Sequence, residues 1–553
     1  MVCKVADNIL SPLGATTAEN YQAVKAGRSA LARHDQRWSL PDKVLTASLF
    51  SKEQEEQFLI SGLSRFESMV VTSVREALSQ TTLDVSQPNI ILIISTTKGE
   101  VDSAQRISRE FGFTTDPIVV CNACISGLSA LILASRLLED GQYDYAVVCG
   151  ADSQSRFIVS GFQSLKALSP EPCRPFDMER LGLNLGEAAA TIILGKGVGD
   201  WTLGPGAIRN DAVHISNPAK DGEGSCRALK AVVSDGDKES LAFINAHGTA
   251  TFFNDQMESV AIERAGLAGI PVNAYKGCYG HTMGAAGVLE TILSMAAIDD
   301  HTILATRGFE ELGVSGRISV SASHQSTDKT AFVKMLSGFG GCNAALLLEK
   351  NGSRTSGGCH SPFSSHHSVV IRPDVVEVDG RRLPIDANGP ALLTALYRQY
   401  VGDYPKYYKM DPLSRLGFVA SELLLQVEKG RERFVMCDDR AVIFFNHSSS
   451  VCADRQYMET IADPENCFPS PSVFVYTLPN IVTGEIAIRN HYHGETSFYI
   501  LPRRDVNLMQ QVLHASCLDP ATQSILCGWL DYEDDAHFEA HLKIVNCKSV
   551  NRK

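Results

Sequence analysis

Short, wholly apolar runs alternate along this chain with stretches in which apolar residues recur every three or four positions. Asn89–Ser95 (NIILIIS) and Tyr145–Gly150 (YAVVCG) are of the first kind and read as strands buried on both faces. Arg65–Leu78 is of the second kind, and Ser11–Leu31 reads as a turn followed by a helix that Gly27 closes. Val119–Gly141 joins the two kinds. An apolar strand runs into a sharp turn, and from Cys124 onward Leu128, Leu131, Ile132 and Leu138 recur at helical spacing until Gly141. Strand, helix, strand at this spacing predicts βαβ crossovers and a mostly parallel sheet between helix layers, an α/β fold. ATIILGKG, LAFINAHGT and NAALLLEKN supply further strands, the last ending near Lys350.

Between Asn351 and Ser368 the pattern dissolves into small and polar residues, which predicts a linker. Its Cys359, His360, His366 and His367 match no usual zinc spacing. Beyond it the chain repeats itself. Leu413–Arg415 opens an apolar-periodic helix as Leu63–Arg65 does, AVIFFNHSSS follows as IILIISTTKG follows the first, and ILCGWLD echoes VVCGAD. An extra stretch of about 27 residues lies between the last two echoes in the second copy. A period this long marks a domain duplication rather than a solenoid. Aligning VVCGAD with ILCGWLD puts Pro502 where the first copy has Cys124, so the second copy lacks that thiol.

Composition narrows the classes. The 553 residues imply about three to four structural units, and a net charge of −13 argues against nucleic acid or an anionic membrane surface as partner. No run reaches the roughly 18 apolar residues of a membrane span, and MVCKVADNIL lacks the apolar core of a signal peptide. Fifteen cysteines without framework spacing, many in apolar runs, fit a reducing cytoplasm.

Three places carry candidate chemistry. Cys124 at a helix N-terminus meets unpaired N–H groups and the positive dipole end, which favours a nucleophilic thiolate; burial as a core cysteine and a Cys121–Cys124 C-x-x-C pair are the other readings. His247 lies where an apolar strand ends in a glycine-containing turn, and His281 sits among Gly280, Gly284 and Gly287. Lys276 precedes His281 by five residues and could hold a carboxylate, with Asp255 and Glu258 as candidates. A third glycine turn, SGFGGCNAALLLEK, places Phe339, Gly340 and Asn343 ahead of a strand.

Taken together, ACISG around Cys124, CRPFDMERLGLNLGEAA (Cys173–Ala189), HGTATFFNDQMESVA (His247–Ala261), KGCYGHTMGAAG (Lys276–Gly287) and GFGGCNAAL (Gly338–Leu346) resemble, in order, the motifs of β-ketoacyl-acyl-carrier-protein synthases. The resemblance implies a thiolase-like layered α-β-α-β-α fold over residues 1–350, in two halves of about 1–195 and 196–350. It implies Cys124 as the nucleophile holding an acyl thioester, and His247 and His281 as the pair that assists decarboxylation of malonyl-carrier protein. Lys276 would order that pair through an acid, Glu258 being the motif's candidate. Phe339 would be the gatekeeper, its N–H forming an oxyanion hole with that of Cys124, with Asp255, Gly340 and Asn343 in support. No metal or organic cofactor is implied, since both acyl groups arrive on the phosphopantetheine arm of an acyl carrier protein. Lys166, Arg174 and Arg180 lie in polar stretches near the motifs, where a carrier could dock.

The chain departs from the family in three ways. Ala250 and Ala188 stand where glycine is usual, and residues 95–117 are shorter than the segment that in the family helps form the dimer interface and acyl pocket. Residues 368–553 resemble the family's N-terminal half through KMDPLSRLGFVASELLL and Phe468–Gly494, the latter matching what the first copy lacks. The expectation is a non-catalytic half domain, beyond a 351–367 linker, that packs on the synthase as a pseudo-subunit; a homodimer is the other arrangement. His491 and His493 fall in no catalytic motif. The reaction implied is condensation in fatty-acid, polyene (aryl polyene included) or polyketide synthesis. The alternatives are a non-catalytic chain-length-factor-like partner and a coenzyme A thiolase.

Overall fold

In the computed structural model, the residues described are 1–553 apart from 36–37, 39, 41–43, 100, 198, 353–363, 464–466 and 548–553. Three sheets of one topology build the fold. In the first, Ile90–Ser95 runs parallel to Ile118–Val120 on one side and Tyr145–Asp152 on the other, and Ala188–Lys196 and Val2–Leu10 then add antiparallel. In the second, Leu241–Asn245 lies parallel to Pro271–Asn273 and to Ala331–Gly338, followed antiparallel by Cys342–Lys350 and Trp201–Asn210. The sheets are therefore mixed rather than mostly parallel. The βαβ crossovers exist, but each sheet finishes with two antiparallel strands brought together from distant parts of the chain.

Helices Ser126–Glu139 and Ala286–Asp299 fill the layer between these sheets. Both are apolar on nearly every face, as burial between two sheets demands. Their N-termini cross at glycines: a Cβ on Gly287 would stand 2.2 Å from Leu128 N, and one on Gly127 3.0 Å from Gly287 N. This close approach brings the Cys124 turn beside the His281 turn.

The third sheet repeats the first. Arg440–Asn446 is parallel to Thr496–Ile500 and Ser524–Asp534, and His537–Asn546 and Ser364–Arg372 complete it antiparallel. The expected linker thus ends earlier than residue 367. Ser364 already pairs with Asn546, because ladder hydrogen bonds override the polar composition there. His367 Nδ1 donates to Asp379 Oδ2 (2.8 Å); Cys359 and His360 lie outside the described residues, as does the side chain of His366.

The first and third sheets join edge to edge. Val120 pairs with Tyr499 and Val119 with Ile500 in antiparallel register, making one continuous sheet across a local pseudo-two-fold. Cys121 N donates to Phe498 O (3.1 Å) beside this pair, and Phe498 N donates to Asn122 Oδ1 (2.7 Å). Buried ion pairs reinforce the joint: Arg136 reaches Glu495 (2.7 Å) and Asp519 (3.2 Å), and Arg209 reaches Asp519 (2.6 Å). Cys517 and Cys547 form a disulfide that ties the end of helix Val506–Ser516 to the last strand, which cysteine spacing did not foretell. His491 ends a helix in the left-handed region (φ 54°), and the His493 ring packs on Asn210 O at 3.0 Å.

Candidate functional site

Cys124 sits in a single 3-10 turn, Ala123–Ile125, that leads into helix Ser126–Glu139. The turn is held by Ser126, whose hydroxyl accepts from Asn122 N (2.8 Å) and donates to Ala123 O (2.6 Å), with Ala123 itself at φ 48°. His281 is presented by the matching device in the second half, a 3-10 turn Met283–Ala285 with Met283 at φ 55° ahead of helix Ala286–Asp299. His247 follows strand Leu241–Asn245, and its loop is pinned because both Glu258 oxygens accept backbone N–H groups, from His247 and Gly248, each at 2.7 Å.

These three side chains meet. The Cys124 sulfur and one ring nitrogen of each histidine lie within 4.8 Å of one another, and the imidazoles stand edge to face with centroids 4.9 Å apart. The trio lines a cavity of about 360 Å³ with Phe339, Thr249, Thr251, Phe253 and Asn343 among its walls. By distance alone the trio could ligate a metal ion. However, His281 Nδ1 accepts from Met283 N (3.2 Å), which leaves Nε2 as an N–H donor with no partner of its own. His281 therefore offers a hydrogen bond to a negative oxygen rather than a lone pair to a cation.

Electrostatics set the charge of both rings and change the picture of the thiol. Burial, then the positive charge of Lys276, hold His247 and His281 well below the usual histidine range, so both rings are neutral at pH 7. Burial pushes the Cys124 thiol up to about 12, against Lys276 and the N–H groups of Cys124 and Phe339, which face the sulfur. The thiolate expected from the helix dipole is thus not the resting state: desolvation outweighs a dipole contribution that is typically about 0.3–2 kcal/mol. Cys121 is buried and unpaired, so the C-x-x-C reading gains nothing.

Lys276 does not reach Glu258. Its ammonium donates to Glu290 Oε1 at 2.8 Å, and a second buried lysine, Lys334, takes the other Glu290 oxygen at 2.5 Å. Glu258, lifted to about 7 by burial and then by Asp255, spends its oxygens on the His247 loop instead. Asp255 is likewise structural, accepting from Phe176 N (2.7 Å) and Ala250 N (3.1 Å). That last bond helps hold Ala250 at φ 62°, a conformation that glycine adopts more readily. Asn343 braces the Phe339 turn, donating to Asp211 Oδ1 (3.0 Å) and Gly341 O (3.1 Å). Gly340 stands at φ 91° and donates to Ile215 O at 2.6 Å. Of the suggested docking cations, Lys166 lines the cavity, Arg180 packs under Phe252, and Arg174 is engaged with Asp177 and Glu179.

The third unit also reaches this site. Asn480 Nδ2 donates to Phe339 O (2.8 Å), and a Cβ on Gly484 would stand 2.5 Å from Gly340 O. Lys98, in the shortened segment, donates to Thr477 O (2.9 Å) and Asp454 (3.2 Å). Phe474 packs edge-on to Phe162, which stacks on Phe339.

Layered sheets around a central helix pair, with a buried Cys–His–His group at the helix N-termini, define the thiolase-like class. Residues 79–197 match "Beta-ketoacyl synthase, N-terminal domain" and 203–310 match "Beta-ketoacyl synthase, C-terminal domain", so these two stretches are similar to the two halves of a β-ketoacyl synthase. Similar proteins include 3-oxoacyl-[acyl-carrier-protein] synthase 2 of Rhizobium meliloti (strain 1021), 33% identical over 42% of this chain and 60% of that protein. The tetracenomycin polyketide synthase ketoacyl synthase alpha subunit of Streptomyces glaucescens is 32% identical over 44% of this chain and 63% of that protein. The chain thus spans about three fifths of the length of these relatives. Among solved structures, the ketosynthase ApeO in complex with its chain length factor ApeC from Xenorhabdus doucetiae shares the fold over 63% of this chain and 98% of that one (TM-score 0.56, 24% identity). The PfaC keto synthase–chain length factor does so over 99% of this chain and 78% of that one (TM-score 0.77, 12% identity). None of the described helices is long and apolar enough to cross a membrane.

Proposed function

We propose that this protein catalyses decarboxylative Claisen condensation, joining an acyl group held as a thioester on Cys124 to the malonyl group of an acyl carrier protein. The observation that carries the reading is the convergence of Cys124, His247 and His281 within 4.8 Å in one cavity, with the N–H groups of Cys124 and Phe339 facing the sulfur. As the thiol attacks the incoming thioester, the two N–H groups receive the oxyanion of the tetrahedral intermediate; its collapse breaks the bond to the carrier's sulfur, which leaves as a thiol with the proton that Cys124 gives up. Loss of CO₂ from malonyl then puts charge on the second thioester oxygen. The neutral His281 Nε2–H is positioned to donate to it, with His247 beside it. The resulting carbanion attacks the Cys124 thioester and releases the free thiol. Each donor of this kind typically contributes about 10²–10³ in rate, so either histidine variant should be severely slowed but not dead.

The carrier protein is the proposed donor and acceptor, as the names of the relatives imply, and no cofactor is required by this chemistry. A second part of the proposal concerns residues 364–546: they act as a built-in pseudo-subunit, comparable to the chain length factor in the similar structures. The continuous sheet at Val120–Tyr499 and the Asn480–Phe339 contact support it. The test is incubation with acyl- and malonyl-carrier protein, following β-ketoacyl product and CO₂. The parent should form both and Cys124→Ala neither product nor acyl-enzyme; a parent that forms no product with any chain length defeats the reading.

A further inference from the structure

Lys334, in the strand Ala331–Gly338, lies in none of the motifs above, yet it is fully buried directly behind the histidine pair. Its ammonium donates to Glu290 Oε2 (2.5 Å), Asn245 Oδ1 (2.6 Å) and Ala246 O (3.1 Å), with Asn245 O a fourth, longer acceptor at 3.4 Å. Asn245 and Ala246 are the two residues that deliver His247, so Lys334 grips the base of that loop. Glu290 is shared, its other oxygen bound to Lys276 at 2.8 Å. Two buried ammonium groups on one carboxylate leave a positive charge in excess, in surroundings where charge is poorly screened.

We propose that Lys334 is a second positioning residue of the condensation site: it fixes the His247 loop, and with Lys276 it supplies the surplus positive field that keeps both imidazoles as neutral donors and favours the anions formed in front of them. This rests on the condensing function proposed above. The groups facing the cluster are Glu290 from helix Ala286–Asp299, Lys276 from the turn before His281, Glu258 and Asp255 from helix Phe252–Arg264, and the two histidines themselves. Asp152 acts on Cys124 from the far side. Glu258 cannot serve as the second counterion by contact, because its oxygens already hold the amides of His247 and Gly248. Burial followed by Lys276 brings Lys334 itself down to about 8 against the pull of Glu290, so the field weakens in mildly alkaline solution.

The test compares the parent with Lys334→Met and Lys334→Gln, the latter retaining a hydrogen-bond donor without the charge. Histidine ring resonances titrated by NMR should show neither His247 nor His281 gaining a proton as pH falls through the ordinary histidine range in the parent. In both variants at least one should titrate about one unit closer to the ordinary value near 6.5. Malonyl-carrier-protein decarboxylation in a Cys124→Gln background should lose its acid-side activity over the same range. Folded variants whose histidines titrate as in the parent, or whose decarboxylation falls equally at every pH, overturn the field role. If neither variant folds, the parent decides: a site histidine titrating near 6.5, or decarboxylation unchanged as pH rises past about 8, refutes the proposal, and silent histidines with a fall in decarboxylation there sustain it. A parent with silent histidines but no decarboxylation would remove the proposed reaction while leaving the electrostatic assignment standing.

Discussion

Replacing Asp519 with asparagine tests how firmly the third unit is fastened to the other two. Asp519 accepts from Arg209 at 2.6 and 3.0 Å and from Arg136 at 3.2 Å, and all three side chains are buried, at 2%, 8% and 7% exposure. After the change Arg136 keeps Glu495 at 2.7 Å, whereas Arg209 keeps the Ile208 carbonyl at 2.8 Å and one neutral amide oxygen but no carboxylate. One guanidinium is then buried without a counterion. Removing one partner of such a pair costs about 3–5 kcal/mol, while replacing the whole pair by apolar groups is often neutral. Urea unfolding of Asp519→Asn at pH 7 should therefore show a loss in that range, and Arg209→Met with Asp519→Leu should recover most of it. The pH dependence has a fixed sign. Burial alone would raise the Asp519 carboxyl, but Arg209 and Arg136 hold it below its usual value. Its stabilisation is fully present above the ordinary carboxylate range and is lost as pH falls through the lowered value, so the gap between parent and variant should begin to close below about pH 4 and vanish only once the pH lies below that lowered value. A loss under about 1 kcal/mol at pH 7, or a double variant no better than the single one, would refute this account of the joint.

Two further outcomes follow from the site. Gly287→Ala would drive a methyl to within 2.2 Å of Leu128 N, so the two central helices must part; a loss of about 1–3 kcal/mol with a fall in condensation rate is expected, and unchanged thermal stability and rate would contradict it. Because the resting Cys124 thiol is pushed up to about 12, alkylation of the free enzyme by iodoacetamide should be slow at pH 7 and rise about tenfold per pH unit to pH 9, and a plateau near pH 7 would contradict that.

The residues proposed to do the chemistry were legible because each sits in a loop with an unusual local need. Cys124, His247 and His281 are all mounted where backbone crowds backbone, and glycines or small residues mark such places in a sequence. The partner of Lys276 was not legible by proximity. Glu258 lies in a recognisable motif, but its two oxygens are consumed by amides of the loop it supports. Glu290 sits alone in the apolar run GVLETILSMAAI, and Lys334 alone in AFVKML, and each was passed over as part of its helix or strand. A single charge inside an otherwise apolar element is the available signal: it is too expensive to bury unless another such charge meets it. The start of the third sheet at Ser364 was hidden for the opposite reason, since the pairing that orders it lies 182 residues away, at Asn546.

The duplicated turn gives the fold its economy. Pro502 stands at the pseudo-equivalent of Cys124, so the third unit has no nucleophile, yet the first copy's turn leans on it. Asn122 and Ala123, the latter at φ 48°, are the residues immediately before the thiol, and Asn122 is held by the Phe498 amide of the third unit at 2.7 Å. A positive φ at a non-glycine residue persists only where surrounding contacts over-determine it. On the other wall, the Phe339 carbonyl is held by Asn480 of the same unit. Both backbone N–H groups that face the sulfur therefore belong to turns braced from across the pseudo-two-fold. Loss of the second thiol removes one site, while retention of the sheet edge and of Asn480 preserves the geometry of the other.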